Sequence, residues 1–304
     1  MQLLSEVLKS ATSLTCLRLC GCELSAEATS NVFAAIQRLL TLQLVELVLD
    51  KFVVVTPRGS LDALTEGLSS TVTLKVLKIV DVDVATKLYT SLGTPCRLDC
   101  HCGDHLSSLE LVFRRRDMHS DIVLALRAYL PLTRSLRRFD IRFPASPHGA
   151  HLIIEGIALN NSIEELSLNW LSVSEEDMQV LCDWVARSRR LHSLQLALID
   201  EGDKMVLQKL STVLKSSYTL MSLGVKQWPG DEAGLNAMNL VRRNYGLVQC
   251  ASAFILGSSL KRAAVAFELV SWHPQISTVV QRMGSLGAAD AALIRESARR
   301  LHDE

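Results

Sequence analysis

The densest group of side chains that could bind a metal ion lies between Cys96 and His105. It contains Cys96, Cys100, Cys102 and His105 in the spacing C-x3-C-x-C-x2-H. Structural zinc sites use two well-separated pairs of ligands, which this spacing does not supply. Free cysteines also serve as small buried apolar groups. We expect no metal ion here, and the segment stays open between an inserted loop, a degenerate helix and a metal site.

Residues able to carry out catalysis are present, but they lack the spacing that catalysis needs. The chain has no H-E-x-x-H, G-x-S-x-G or paired-carboxylate arrangement. Cys16, Cys20 and Cys22 lie on and just after one predicted strand, where alternation is expected to spread them over different faces. A catalytic thiol also needs a neighbour that lowers its pKa, which the sequence does not indicate. We therefore expect a protein without enzymatic activity and without a cofactor.

The elements that must position these side chains follow a repeat. The pattern apolar-x-x-apolar-x-apolar occurs eight times, beginning at Leu14, Leu44, Leu74, Leu106, Leu136, Ile163, Leu191 and Leu220. Successive starts are 30, 30, 32, 30, 27, 28 and 29 residues apart. Because alternate side chains of a strand point to opposite faces, each occurrence predicts a short strand with one buried face.

A helix is predicted after the strand in each repeat, most clearly within Ser162–Ser188. Ser174 and Asp177, three residues apart, form a variant of the capping box that begins a helix. A stripe at i, i+3 and i+7 follows, formed by Met178, Leu181 and Val185. Comparable stripes precede five other predicted strands. The chain is therefore predicted to alternate strand and helix.

The first complete repeat, Leu14-x-x-Leu17-x-Leu19-x-x-Cys22-x-Leu24, resembles the leucine-rich repeat family in its ribonuclease-inhibitor-like class. The resemblance covers residues 1–244. Where that family places Asn or Cys, the later repeats have Phe52, Val82, Arg114, Pro144, Leu171, Ile199 and Trp228, so their loops are expected to differ. The resemblance implies an α/β leucine-rich-repeat solenoid, a horseshoe with a concave parallel β-sheet and convex helices.

Residues 245–304 lack the strand pattern and are predicted to form a helical C-terminal cap. Helices are expected at about 235–256, 259–271, 274–282 and 288–301, separated by Gly257, Pro274 and the glycines near residue 285. A terminal cap covers the last repeat of a solenoid, whose core would otherwise face water. A separate helical module with its own ligand is the alternative.

The N-terminal edge is expected to be open, because Met1, Leu4 and Leu8 would form an apolar stripe with no element before it. We expect this edge to contact either a preceding segment of a longer protein or another chain. The resemblance extends to the repeat region of intracellular NOD-like receptors, which follows a nucleotide-binding module. This chain has no G-x-x-x-x-G-K-[ST] phosphate-binding loop of its own.

Composition argues against several functional classes. The 32 basic and 32 acidic residues give no net charge, which argues against a nucleic-acid-binding protein. The sequence has no apolar run of about 18 residues that could span a membrane. It begins MQLLSEVLKS, without the pattern of a signal peptide. Eight scattered cysteines favour reduced thiols, so a cytoplasmic location is expected.

Side chains between the strand leucines are expected to point away from the core. The candidate partner-binding residues among them are Arg18, Lys78, Glu110, Arg138, Asp140, Arg142, Glu165 and Asn169. On the same face, Val48, Val80 and Val112 are expected to add apolar contact area. Two interpretations stay open. The charges either pair with one another across neighbouring strands or form a docking surface for a protein.

The function expected from these features is non-catalytic recognition of a protein partner through the concave face. One alternative is a GTPase activator of the Ran type, although the acidic tail usual in that family is missing from the sequence end RESARRLHDE. Another is a substrate receptor of a ubiquitin ligase, which would need F-box-like helices before the repeats. A ribonuclease inhibitor in the strict sense would be acidic and cysteine-rich, unlike this neutral chain.

Overall fold

The chain folds as two compact units. The first contains residues 1–181 and 197–202, and the second contains residues 182–196 and 203–304. The computed structural model describes residues 2–50 apart from 12, 22 and 25, then 53–54, 68, 71, 73–80, 105–112, 120–198 apart from 146, 202–226, and 232–296 apart from 288 and 289.

The described strands of the first unit are β1 (Cys16–Cys20), β2 (Glu23–Leu24), β3 (Glu46–Asp50), β4 (Val53–Val54), β5 (Val76–Val80), β6 (Ser108–Val112), β7 (Arg138–Ala145) and β8 (Glu165–Leu171). Six of them form a parallel sheet in the order β1, β3, β5, β6, β7, β8, which follows the chain. The short strands β2 and β4 form a separate parallel pair. Each strand predicted within residues 1–171 is therefore present.

The described helices of the first unit are α1 (Gln2–Ser10), α2 (Ala26–Leu42), α3 (Ser120–Tyr129), α4 (Pro147–Ala158) and the first part of α5 (Glu175–Arg187). Consecutive helices pack side by side, α1 against α2 and α3 against α4. Gly156 allows the second contact, because a Cβ there would lie 3.3 Å from the Cα of Arg127. Strand and helix thus alternate along an α/β repeat.

The core of the first unit is built from the periodic apolar residues. In β1 the alternation is complete, since Leu17 and Leu19 are buried while Cys16, Arg18 and Cys20 are exposed. The same two positions are buried in each later strand of the sheet. The helical stripes predicted in α3 and α4 are buried as well. Burial of these two faces against each other is the main stabilising contribution that the pattern can supply.

Polar side chains join successive repeats where each helix gives way to a strand. The Oγ1 of Thr71 donates to the carbonyl oxygen of Leu40 at 2.8 Å, and the Oγ of Ser135 donates to that of Leu106 at 2.8 Å. Asn160 is fully buried and does the same with its amide. We call this series of contacts the corner ladder.

Asn160 is the most fully bonded member of the corner ladder. Its Nδ2 donates to the carbonyl oxygens of Leu130 and Thr133, at 2.6 and 3.1 Å. Its Oδ1 accepts from the backbone amides of Ser162 and Ile163, at 2.7 and 2.9 Å. One side chain therefore satisfies four backbone groups, two carbonyl oxygens of the repeat before and two amides of its own.

The second unit holds β9 (Ser193–Ala197), β10 (Ser222–Val225), α6 (Gly202–Val213), α7 (Glu232–Ile255), α8 (Lys261–Val270), α9 (Ile276–Gly284) and a helix over 290–296. β9 and β10 are parallel. The last four helices match the four expected beyond the final strand, although residues 297–301 lie outside the described part of the chain. The predicted boundary between residues 244 and 245 stays a prediction, and α7 runs continuously through it.

The C-terminal helices pack on one another around Phe267, which is fully buried. Val248 and Ile255 of α7, Val270 of α8 and Val280 of α9 belong to the same apolar cluster. The corner ladder continues here, because the Nδ2 of Asn244 donates to the carbonyl oxygens of Ser217 and Leu220, at 3.1 and 3.0 Å.

His273 fixes the turn between α8 and α9 to the segment before β10. Its ring is fully buried, and Nε2 lies 2.8 Å from the carbonyl oxygen of Thr219. The backbone amide of Gln275 donates to Nδ1 at 3.1 Å, which leaves the proton on Nε2. Burial lowers the pKa of His273 to about 4, so the ring is neutral at pH 7.

Candidate functional site

The outward side of the six-stranded sheet gathers the charged residues predicted as partner-binding. We call it the polar sheet face; its members are Arg18, Glu46, Lys78, Glu110, Arg138, Asp140, Arg142, Glu165 and Asn169. The parallel register aligns Arg18, Val48, Lys78, Glu110 and Asp140 in one row across five neighbouring strands. The structure therefore brings all eight predicted residues onto one surface of the first unit.

The charged members alternate in sign from strand to strand, and neighbours pair. Arg18 of β1 donates from Nε and Nη2 to Oε1 of Glu46 on β3, at 3.0 and 2.7 Å. The Nζ of Lys78 on β5 lies 2.8 Å from Oε1 of Glu110 on β6. The charge pairs of the first interpretation are therefore present, and opposite charges so placed stabilise a sheet. Paired side chains can also contact a partner, so the second interpretation stays a prediction.

Asp140 is the one carboxylate of the polar sheet face that is buried. Its neighbour Arg142, two residues along β7, donates from Nε to Oδ1 at 3.2 Å and from Nη2 to Oδ2 at 2.8 Å. This two-pronged contact raises the pKa of Arg142 above its ordinary value. A buried carboxylate without this partner would carry an uncompensated charge, so Arg142 is needed to hold Asp140 in place.

Arg138 and Glu165 form the loosest pair, with 3.7 Å between Nη1 and Oε2. Both side chains are exposed, and no hydrogen bond joins them. An exposed ion pair of this kind contributes about 0–1 kcal/mol to stability. Arg138 is therefore the cation of the polar sheet face that is least committed to the fold.

The valines of this side contribute less than predicted. Val48, Val80 and Val112 do point away from the leucine core, but all three are buried, at 7%, 9% and 8% exposure. The expectation that they add apolar contact area is wrong, because so little of each side chain is accessible to a partner. Val48 lies in register between Arg18 and Lys78 of the neighbouring strands. The accessible part of the face is polar.

The thiols of β1 also correct a prediction. Cys16 and Cys20 lie on the same side as Arg18 and are exposed, because positions four apart on a strand face the same way. The expected spread over different faces is wrong for this pair, and Cys22 lies outside the described residues. In the second unit, burial raises the pKa of the Cys182 thiol to about 12, which makes it a poor nucleophile.

The end of the face at β7 and β8 is irregular. Arg142 pairs with Asn169 and Ala145 pairs with Leu171, so three steps of β7 match two steps of β8. Beside this bulge Trp170 has φ of 65°, in the left-handed region that side chains seldom adopt. The Nδ2 of Asn169 donates to the Oγ of Ser167 at 2.8 Å. A bulge re-aims side chains at the end of a strand, here next to Arg142.

A second polar group joins α4 to the start of α5. The amide of Asp177 donates to the Oγ of Ser174 at 3.1 Å, and the amide of Ser174 donates to Oδ2 of Asp177 at 3.3 Å, which confirms the predicted capping box. The Nδ1 of His151 lies 2.6 Å from Oδ1 of Asp177, and its Nε2 lies 3.3 Å from Oε1 of Glu155. The hydrogen bond to Asp177 raises the pKa of His151.

These residues include the types of a Ser-His-Asp triad, but the contacts are those of a helix cap. The Oγ of Ser174 donates to Asp177 at 2.8 Å rather than to His151, so the hydroxyl does not face the imidazole that a triad needs as its base. Among the described residues, no group of three His, Cys, Asp or Glu side chains could hold a metal ion. The segment 96–104 lies outside those residues.

Sequence reasoning missed both the corner ladder and the role of Asp177 toward His151. The ladder had a signal, because its donors Thr71 and Asn160 each lie three residues before the first apolar residue of a strand, and Ser135 lies one residue before. The contact of His151 had none, since twenty-six residues and a strand separate it from Asp177.

Comparison with known proteins adds little to this geometry. No family model matches the chain, and no curated protein matches it. A solved structure described as "Leiomodin-1 Actin-Binding Site 2 (ABS2)" is similar at 16% sequence identity and a TM-score of 0.38, over 47% of this chain and 83% of that one. Neither fold nor function is assigned from this likeness. In the described residues, no helix is long and apolar enough to cross a membrane.

Proposed function

We propose that the chain is a leucine-rich-repeat protein of the ribonuclease-inhibitor-like class that recognises a protein partner through the polar sheet face, without catalysis. The alternation of parallel strands and helices at 27–32-residue intervals supports the class. In such a solenoid the sheet lines the concave side of a horseshoe and the helices lie outside. Residues 245–304 then act as the helical cap of the last repeat.

The observation that carries the function is a charged surface built on rigid elements. The charged members of the polar sheet face all lie on strands held by ladder hydrogen bonds rather than on loops. In three of their four ion pairs the charged atoms lie 2.8 Å apart or closer, so less conformational entropy remains to be lost when a partner binds. A polar, preformed surface with several arginines is typical of the rim of a non-obligate interface.

The test places a photo-crosslinking amino acid at Ser108, in the middle of the face, and at Ala128, an exposed position of α3 as the matched control. We expect one defined protein to be crosslinked from Ser108 and not from Ala128. The purified protein should then bind the intact chain in calorimetry. Equal crosslinking from both positions, or none from Ser108, contradicts the proposed function.

A further inference from the structure

The polar sheet face is nearly balanced in formal charge, but its cations are more exposed to solvent than its carboxylates. Arg18 is 64% exposed while its partner Glu46 is 26% exposed, and Arg142 is 43% exposed while Asp140 is 3% exposed. The pairs Lys78–Glu110 and Arg138–Glu165 differ in the same direction. Asp50, a further carboxylate on this side, has its Oδ1 buried. An approaching molecule therefore meets the cations first.

The physical cause is side-chain length. Arg and Lys reach past the shorter carboxylates and keep their charged ends in water while their stems lie on the sheet. A partner's carboxylate would lie closer to each cation than to the acid behind it, and Coulomb attraction falls with distance. A partner's cation would lie closer to the cations of the face than to its acids and would be repelled. The face therefore favours a negatively charged partner although its net charge does not.

The cations also keep donors that the ion pairs do not use. A guanidinium has five N–H groups. The contact with Asp140 uses two donor nitrogens of Arg142, and that with Glu46 uses two of Arg18. At 3.7 Å the pair of Arg138 with Glu165 is an ion pair without a hydrogen bond. Planar, fork-shaped donors of this kind bind carboxylates with two parallel hydrogen bonds.

We propose that the polar sheet face binds an acidic polypeptide segment, whose carboxylates contact Arg18, Lys78, Arg138 and Arg142. This proposal rests on the function proposed above and names the chemistry of the partner. Neighbouring strands lie about 4.8 Å apart, so the row from β1 to β8 spans about 24 Å. An extended segment of about eight residues covers that distance.

The test measures the binding of a fluorescent poly-glutamate peptide of about eight residues by anisotropy at low salt. A poly-lysine peptide of the same length and a single-stranded oligonucleotide serve as comparison ligands. One variant combines Arg18→Gln with Arg138→Gln, which removes two exposed cations and leaves Arg142 in contact with Asp140. The matched control combines Glu46→Gln with Glu165→Gln. Circular dichroism checks that both variants remain folded.

We expect the intact chain to bind poly-glutamate and not poly-lysine. The Arg18→Gln and Arg138→Gln variant should bind about tenfold more weakly, since an exposed charge is worth about threefold, while the control should bind equally or more tightly. Stronger binding of poly-lysine, or unchanged binding by the first variant, overturns the proposal. Equal binding of the oligonucleotide would assign the face to phosphates instead. The two peptides can also be added as competitors in the crosslinking from Ser108. If poly-lysine blocks that crosslinking and poly-glutamate does not, this proposal is overturned while the proposed function stands.

Discussion

The buried neutral ring of His273 makes the second unit sensitive to acid. Its pKa in the folded chain is about 4, against an ordinary value of 6.5, and burial is the main cause. The unfolded chain therefore binds the proton more readily between these two values. The stabilising contribution is fully present above pH 6.5 and is lost as the pH falls toward 4.

The size of the effect follows from the two pKa values. A depression of about 2.5 pH units reduces the free energy of unfolding by about 2 kcal/mol between pH 7 and pH 5. The geometry adds to the effect of burial, because a second proton would sit on Nδ1, which accepts from the Gln275 amide. Charging the ring would leave two donors facing each other in a site without water contact.

The assay is urea unfolding at pH 7 and pH 5 for the intact chain and for His273→Gln. Glutamine keeps a donor for the carbonyl oxygen of Thr219 but does not titrate. We expect the variant to be less stable at pH 7 but to lose about 2 kcal/mol less than the intact chain between pH 7 and pH 5. Equal losses would refute the reasoning. So would an NMR titration in which the His273 ring becomes charged near pH 6.5.

Three further predictions concern the first unit, each measured by urea unfolding. Asn160→Ala should lower the free energy of unfolding by about 2–4 kcal/mol, because it removes a buried side chain that satisfies four backbone groups. The control Asn161→Ala, at an exposed neighbour, should lower it by less than about 0.5 kcal/mol. Similar losses in the two variants would refute the corner ladder. Arg142→Glu should lower the free energy of unfolding by about 3 kcal/mol or more, because it leaves a buried carboxylate unpaired. Arg138→Glu should lower it by about 1 kcal/mol or less. A larger loss for Arg138→Glu would contradict the pairing described. Because the pKa of His151 is raised, its stabilising contribution should be present at pH 6 and lost as the pH rises through that pKa. The variant His151→Gln should therefore lack this part of the pH dependence of stability. An unchanged pH dependence in the variant would contradict the stabilising role of His151.

Much of the fold could be predicted because one physical requirement repeats. Leu17 and Leu19, and their equivalents, must be buried on one face of a short strand, and that requirement leaves its mark in the spacing of apolar residues. The start of α5 could be predicted from Ser174 and Asp177 for the same reason, since a local hydrogen bond needs only local sequence. The predicted residues of the polar sheet face follow from strand alternation alone.

Which side chains of that face pair with one another could not be predicted. Arg142 bonds to Asp140 on its own strand, although Glu110 lies on the neighbouring strand, and alternation does not distinguish these two options. Val48 alternates onto the polar side of the sheet and is nevertheless buried, and this burial is a property of the assembled sheet. His273 reaches Thr219 over fifty-four residues with no periodic signal. Contacts that depend on side-chain choice at long range leave no regular pattern in sequence.

The corner ladder also bears on how such a chain can change its length. Each ladder donor belongs to one repeat and its acceptor to the repeat before, as for Thr71 with Leu40 and Ser135 with Leu106. A gene duplication or deletion whose ends fall at equivalent ladder positions leaves every donor facing a carbonyl oxygen. A duplication or deletion with its ends elsewhere leaves buried polar groups without hydrogen-bond partners, which lowers the free energy of unfolding by about 1–3 kcal/mol for each group. The repeat that selection can copy or remove is thus the segment from one ladder residue to the next.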